Sequence, residues 1–128
     1  MVRSFLMYKG MNAVTAAKKS EVLQGTLDFM VLKTLDALGP QHGFGIARRI
    51  EQVSRDVLHL NEGTVYTSLL RLQQHCCIAA KWGASDNNRK AKFYSITARG
   101  ERRLAEETEN WERISGAVGR VLRLEREG

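Results

Sequence analysis

The chain has 128 residues, a net charge of +6 and a pI near 9.7, with 43% hydrophobic and 27% charged residues; this admits one modest core and argues against two globular domains. Its two cysteines are the neighbours Cys76 and Cys77, which cannot close an ordinary disulfide loop and match no metal-ligand spacing, so a reducing cytoplasm is the expected setting. No apolar run approaches the ~20 residues of a membrane span, and the opening MVRSFLMYKGM lacks the apolar stretch and cleavage pattern of a signal peptide.

In chain order, residues 1–20 show no periodicity and read as a disordered tail, with Met7 and Met11 leaving the start codon open. Thr26 is a natural N-cap, and Leu27, Val31, Leu35 and Leu38 then recur on one helical face, which Phe29, Met30 and Leu32 widen. Gly39-Pro40 ends that helix. A second helix is expected from His42-Gly43-Phe44-Gly45 to about Ser54, with Phe44, Ala47, Ile50 and Val53 inward.

Asn61 caps a third helix reaching about His75, with Glu62 favourably placed in its first turn. Val65, Leu69 and Leu72 form its apolar stripe, while Thr64, Thr67, Ser68 and Arg71 repeat the same spacing on another face. Ile78, Ala80 and Trp82 alternate with Ala79, Lys81 and Gly83 as a strand, Asp86-Asn87-Asn88 turns the chain, and Lys90 to Ile96 returns. Thr97 caps a last helix from Ala98 to about Glu125, roughly 40 Å long at 1.5 Å per residue.

Along that helix Leu104, Thr108, Trp111, Ser115, Val118 and Leu122 make a heptad-like seam flanked by Ile114 and Val121. A domain of about 75 residues cannot cover a helix of this length, so the exposed stripe predicts a partner helix and a homodimer. The positive charge is focused too. Residues 1–20 carry Arg3, Lys9, Lys18 and Lys19 with no acid, residues 48–103 carry eleven Lys/Arg against five acids, and the segments on either side of 48–103 are net acidic once the tail is set aside. A local basic surface on the third helix and hairpin therefore survives removal of the tail, as a polyanion-binding module requires.

Helix, helix, helix, hairpin, long helix is the order of a winged helix-turn-helix, mostly α with an α+β wing, followed by a dimerisation helix. The stretches LQGTLDFMVLKTL, GPQHGFGIARRIE, LNEGTVYTSLLRL, KWGASDNNRKAKFYSITARG and ENWERIS, covering about Glu21 to Leu122, resemble the small PadR-type transcriptional regulators. The resemblance implies a DNA-binding domain over 21–97 and a dimerisation helix over 98–128. It places Gly43 near phosphate, makes Thr64, Tyr66, Thr67 and Ser68 groove-facing or phosphate-contacting, and makes Arg89, Lys90 and Lys92 wing cations; the hydroxyl stripe adds Arg71. By spacing alone Trp111 is a dimer-core aromatic beside Ile114, Ser115, Val118 and Leu122 of the seam; in some members of the family a tryptophan matching it pairs with its symmetry mate across a pore that accepts planar aromatic compounds, with Phe29 and Met30 as candidate further walls. Two departures stand out. Thr67 follows Tyr66 where many members have proline, and Cys76-Cys77 replaces the glycine and bulky apolar residue that usually end the third helix, so Cys76 must strain or end the helix differently.

The expected function is transcription regulation by a cytoplasmic homodimeric repressor on a pseudo-palindromic operator of double-stranded DNA, with a small aromatic effector as a further expectation. The alternative is a winged-helix adaptor whose basic hairpin meets an acidic protein. His42, His59 and His75 are dispersed without ligand spacing, no nucleophile has a positioned base, and neither a metal, a cofactor nor an enzyme is expected.

Overall fold

The computed structural model describes residues 25–127, so the reading of residues 1–20 as a tail lies outside the described residues. Helix α1 spans 25–38. It is already helical at residue 25, which puts Thr26 inside the helix and not at its cap. Leu27, Val31, Leu32 and Leu35 are buried, while Leu38 is 41% exposed and leaves the core face. The left-handed Gly39 (φ 80°) ends the helix, its N–H donating to Leu35 O at 2.9 Å.

Helix α2, Gly43–Val53, is capped by His42, whose Nδ1 accepts from the Gly45 N–H at 3.0 Å. Its inward face is Ile46, Ala47 and Ile50, with Gly43 in contact range of Leu69; Phe44 and Val53 are exposed, contrary to the spacing-based expectation. Ile46, Ala47 and Ile50 take the buried face, and Phe44 lies about 160° around the helix from Ile46. Ser54 holds the connection to α3: its hydroxyl donates to Glu51 O and accepts from the Leu58 N–H, both at 3.1 Å.

Helix α3, Glu62–Gln74, begins at Asn61, whose Oδ1 accepts from the Thr64 N–H at 2.7 Å. Val65, Leu69 and Leu72 are fully buried, as the stripe predicts. The helix ends on Cys76 in the left-handed region (φ 61°), with Cys77 N–H donating to Leu72 O at 2.9 Å and Cys76 N–H to Gln73 O at 3.0 Å. That bond pair is the terminator glycine normally makes, here formed by a cysteine at a conformational cost of ~1–2 kcal/mol.

Strands β1, Ile78–Ala84, and β2, Lys90–Ile96, pair antiparallel from Ile78 opposite Ile96 to Ala84 opposite Lys90, forming the wing. Gln41 adds a one-residue bridge on the free edge of β2, exchanging both backbone bonds with Tyr94 (3.1 and 2.8 Å) and tying the wing to the α1–α2 joint. Helix α4, Ala98–Leu122, starts at Thr97 and stops three residues before the expected Glu125. The Thr97 hydroxyl accepts from the Gly100 N–H at 3.1 Å and donates to Cys76 O at 2.7 Å, so one residue caps α4 and secures the end of α3.

Among the described residues, four helices and a wing close one core of Leu27, Val31, Leu32, Leu35, Ile46, Ala47, Ile50, Val65, Leu69, Leu72, Cys77, Ile78, Tyr94 and Leu104. Cys77 is a small core residue and Cys76 is exposed. Within α4 only Gly100 and Leu104 are buried.

Candidate nucleic-acid interface

The rotation of α3 decides what it can present. Val65, Ser68, Leu69 and Leu72 point into the core, which leaves Gly63, Tyr66, Thr67, Leu70 and Gln74 on the opposite side, all exposed. Tyr66 and Leu70 are 55% and 58% exposed. The expected hydroxyl-and-arginine stripe lies about a quarter turn from this outward line, and of its members only Thr67 belongs to it.

Ser68 is a correction to the expected DNA contacts: it is fully buried, and its hydroxyl donates to Asp28 Oδ1 at 2.5 Å. Asp28 on α1 is itself 4% exposed. Arg71 meets the same carboxylate with both arms of its fork, Nε to Oδ2 at 3.1 Å and Nη2 to Oδ1 at 2.7 Å, and its side chain is 25% exposed. The hydrogen bond to Asp28 raises the Arg71 pKa above its ordinary value, with burial opposing. A buried carboxylate satisfied by one hydroxyl and a bidentate guanidinium is a structural clamp between α1 and α3. Arg71 is therefore committed inward before any DNA arrives.

Thr64 and Thr67 keep their places at the surface, but their hydroxyl protons are spent. Thr64 Oγ1 donates to Asn61 Oδ1 at 2.9 Å and Thr67 Oγ1 to Gly63 O at 2.9 Å. What each still offers is a lone pair and a methyl group, which suit a base amino group and a thymine methyl. With Arg71 they line a groove toward Leu27, Met30 and the α2–α3 connection, away from the wing.

A second groove, of about 370 Å³, gathers the other five expected contacts: Gly43 from the start of α2, Tyr66 from α3, and Arg89, Lys90 and Lys92 from the wing. None of these three cations has an ion-pair partner among the described residues. They are held by a tight loop in which Ser85 N–H donates to Arg89 O and Asn88 N–H to Ser85 O, both at 2.8 Å, with Asn88 left-handed at φ 60°. Lys90 and Lys92 also place their ammonium groups 5.1 and 5.8 Å from the Trp82 ring centroid. Burial pushes the phenol of Tyr94 up to about 12, and the neighbouring Tyr66, which lines this groove, adds to the shift.

Sequence reasoning missed Asp28, Gly63, Leu70 and Trp82. The signal for Asp28 was present, since an acid with Val31 and Leu32 three and four residues on lies on the inward face of α1 and needs a cation. On α4, Trp111, Ile114 and Val118 are each about half exposed, Leu122 is 79% exposed, and Ser115 is exposed among them. Phe29 and Met30 are partly buried against the core, and the two grooves described that Met30 lines hold no residue of α4.

Against known proteins, the model of the transcriptional regulator PadR-like family matches residues 31–106. A PadR-like transcriptional regulator from Bacillus cereus is similar in structure, with 27% identity, a TM-score of 0.70, and coverage of 82% of this chain and 99% of that one. A PadR family transcriptional regulator from Eggerthella lenta shares the fold, with 22% identity, a TM-score of 0.69, and coverage of 91% and 98%. An uncharacterised protein from Lysinibacillus sphaericus is 26% identical over 100 residues, which is 78% of this chain and 91% of that protein.

Proposed function

Because the chain belongs to the PadR-like family of transcriptional regulators, we propose that it is a sequence-specific DNA-binding repressor working in the cytoplasm as a homodimer on a pseudo-palindromic operator. One observation carries the reading: Tyr66, on the outward line of α3, borders one groove with Gly43 and with three wing cations that have no ion-pair partner among the described residues. A helix face bearing Tyr66, Thr67 and Leu70 reads base edges and thymine methyls, while Arg89, Lys90, Lys92 and the N-terminal end of α2 at Gly43 take phosphates.

The homodimer rests on α4. Trp111, Ile114, Val118 and Leu122 continue the seam of Leu104 past the point where the domain can cover it, and a second α4 supplies the missing surface. A dyad through that seam sets two α3 helices into successive major grooves about 34 Å apart. A dimer seated across a promoter excludes polymerase, which is the basis for repression. Trp111 beside Ser115 in the seam is also the place for a planar aromatic effector, whose binding would shift the spacing of the two α3 helices.

A salt-titrated binding assay on the DNA upstream of the chain's own gene tests the proposal. Specific binding discriminates that fragment from bulk DNA and weakens steeply with salt. Equal indifference to every duplex, with capture by an acidic protein instead, would establish the adaptor alternative. Trp111 fluorescence that stays silent across a panel of planar aromatics would remove the effector.

A further inference from the structure

Trp82 is a large aromatic residue that the fold does not use. It lies on β1, the strand opposite the edge that Gln41 covers, and is 58% exposed. Residues paired across an antiparallel ladder share a face. Ile78 with Ile96 and Ala80 with Tyr94 carry the core face of the wing outward, and the next pair on that face is Trp82 with Lys92. The core surface thus continues past its last buried residue, Tyr94, into an indole and two lysines.

Lys90 and Lys92 both approach the Trp82 ring, at 5.1 and 5.8 Å from its centroid, and both line the groove with Tyr66 and Gly43. Two ammonium groups over one ring repel each other, and a cation–π contact at an exposed site offsets only part of that. A polyanion with an apolar backbone surface supplies what each partner lacks. The two lysines are one two-residue step apart on a strand, ~7 Å, a separation comparable to that of neighbouring phosphates on one nucleic-acid strand.

We propose that Trp82 is a DNA-contacting residue of the wing: its indole packs on the deoxyribose edge of the backbone, and Lys90 and Lys92, gathered over its ring, take the phosphates on either side. This rests on the reading of the protein as a DNA-binding regulator. The contact is to sugar and not to a base edge, so it adds affinity without adding sequence readout. It is also non-ionic, so it leaves no mark on the salt dependence.

The test uses the intact protein and two duplexes of about 30 base pairs, long enough for two half-sites one turn apart: one of mixed sequence at low salt, one from upstream of its own gene. Trp82→Ala weakens binding about tenfold on both, Trp82→Phe about threefold, and neither changes the salt slope, whereas Lys90→Ala with Lys92→Ala flattens the slope by about 2. In the unsubstituted protein the Trp82 indole N–H resonance, assigned with Trp82→Phe, shifts on titration with either duplex. Binding of Trp82→Ala within twofold of the unsubstituted protein, or an indole resonance unmoved at saturating DNA, overturns the inference while leaving the regulator reading intact. Failure of the unsubstituted protein to bind either duplex overturns both.

Discussion

Replacing Arg71 with alanine separates a structural arginine from a DNA-reading one. In the folded protein Asp28 is 4% exposed and receives three hydrogen bonds, two from Arg71 and one from Ser68. Arg71→Ala leaves the carboxylate buried with the Ser68 hydroxyl alone. Removing one partner of a buried pair costs ~3–5 kcal/mol, but the Arg71 side chain is 25% exposed, so water follows into the vacated space and the expected loss is about 2–3 kcal/mol. For a domain of this size that lowers Tm by roughly 10–20 °C. Asp28→Ala should cost less, because the freed guanidinium reaches solvent, and the double variant should cost less than the two single losses combined. Thermal unfolding followed by circular dichroism reads all three. An Arg71→Ala protein with unchanged Tm but a shallower salt dependence of DNA binding would refute the clamp and make Arg71 a phosphate contact.

Gly100→Ala should be among the most damaging single-methyl substitutions, because the new Cβ would stand 2.1 Å from Cys77 O, a backbone atom that cannot swing aside. A loss above about 3 kcal/mol is expected, and a Tm within a few degrees of the parent would contradict it. Cys76→Gly should stabilise by about 0.5–1 kcal/mol in urea unfolding, since relief of the left-handed strain exceeds the entropy the unfolded chain gains, and Cys76 is exposed, so little burial is lost. Unchanged or reduced stability would refute the strain. Tyr94, buried and held neutral, has its folded pKa raised from 10.0 to about 12; the stability it contributes is complete below pH 10 and is lost as pH rises through about 12. Alkaline unfolding should then be shallower in Tyr94→Phe, and identical curves would show that the phenol does not drive it. Glu in place of Ile114 and Val118, on the exposed seam of α4, should turn the proposed dimer into monomers in sedimentation equilibrium; a monomeric parent would refute the dimer, and a variant that keeps a dimer mass would refute the α4 seam as its contact.

The parts of this fold legible in the sequence are those set by local rules. Asn61 and Thr97 announce their helices because a side-chain oxygen before an apolar run meets free N–H groups, and the alternation of Ile78, Ala80 and Trp82 fixes the strand. Rotation of a helix about its axis is less legible, because it depends on partners far away in sequence. Ser68 resembled the other hydroxyls of α3, and only Asp28, forty residues earlier, pulls it inward. Phe44 fits the same three-residue spacing as Ala47 and Ile50, but the buried face is centred on Ile46, Ala47 and Ile50 and leaves it exposed. Cys76 stands where the helix end needs a glycine-like backbone, and it adopts one at φ 61°, but spacing alone does not distinguish an early end to the helix from acceptance of the strain. The backbone accepted the strain, because Thr97 and the Cys77 N–H hold that turn from both sides.

These same distant contacts aim the candidate interface. The clamp of Asp28 on Ser68 and Arg71 fixes the angle at which α3 turns Gly63, Tyr66, Thr67 and Leu70 outward. The angle between α3 and the wing is fixed separately, at the joint where Cys76 reverses the chain, Thr97 binds its carbonyl and Gly100 lets α4 pack against Cys77. Gln41 fastens the wing at its other edge. None of Asp28, Thr97, Gly100 or Gln41 lines the groove that holds the wing cations, yet a shift at any of them moves the outward face or the wing as a body. Substitutions there should lower specific and non-specific DNA binding unequally, because base readout depends on placement to a fraction of a hydrogen-bond length while phosphate attraction does not. A loss of discrimination with the salt slope retained is therefore the signature of damage to these supports, and a flattened slope with discrimination retained is the signature of damage to Arg89, Lys90 or Lys92.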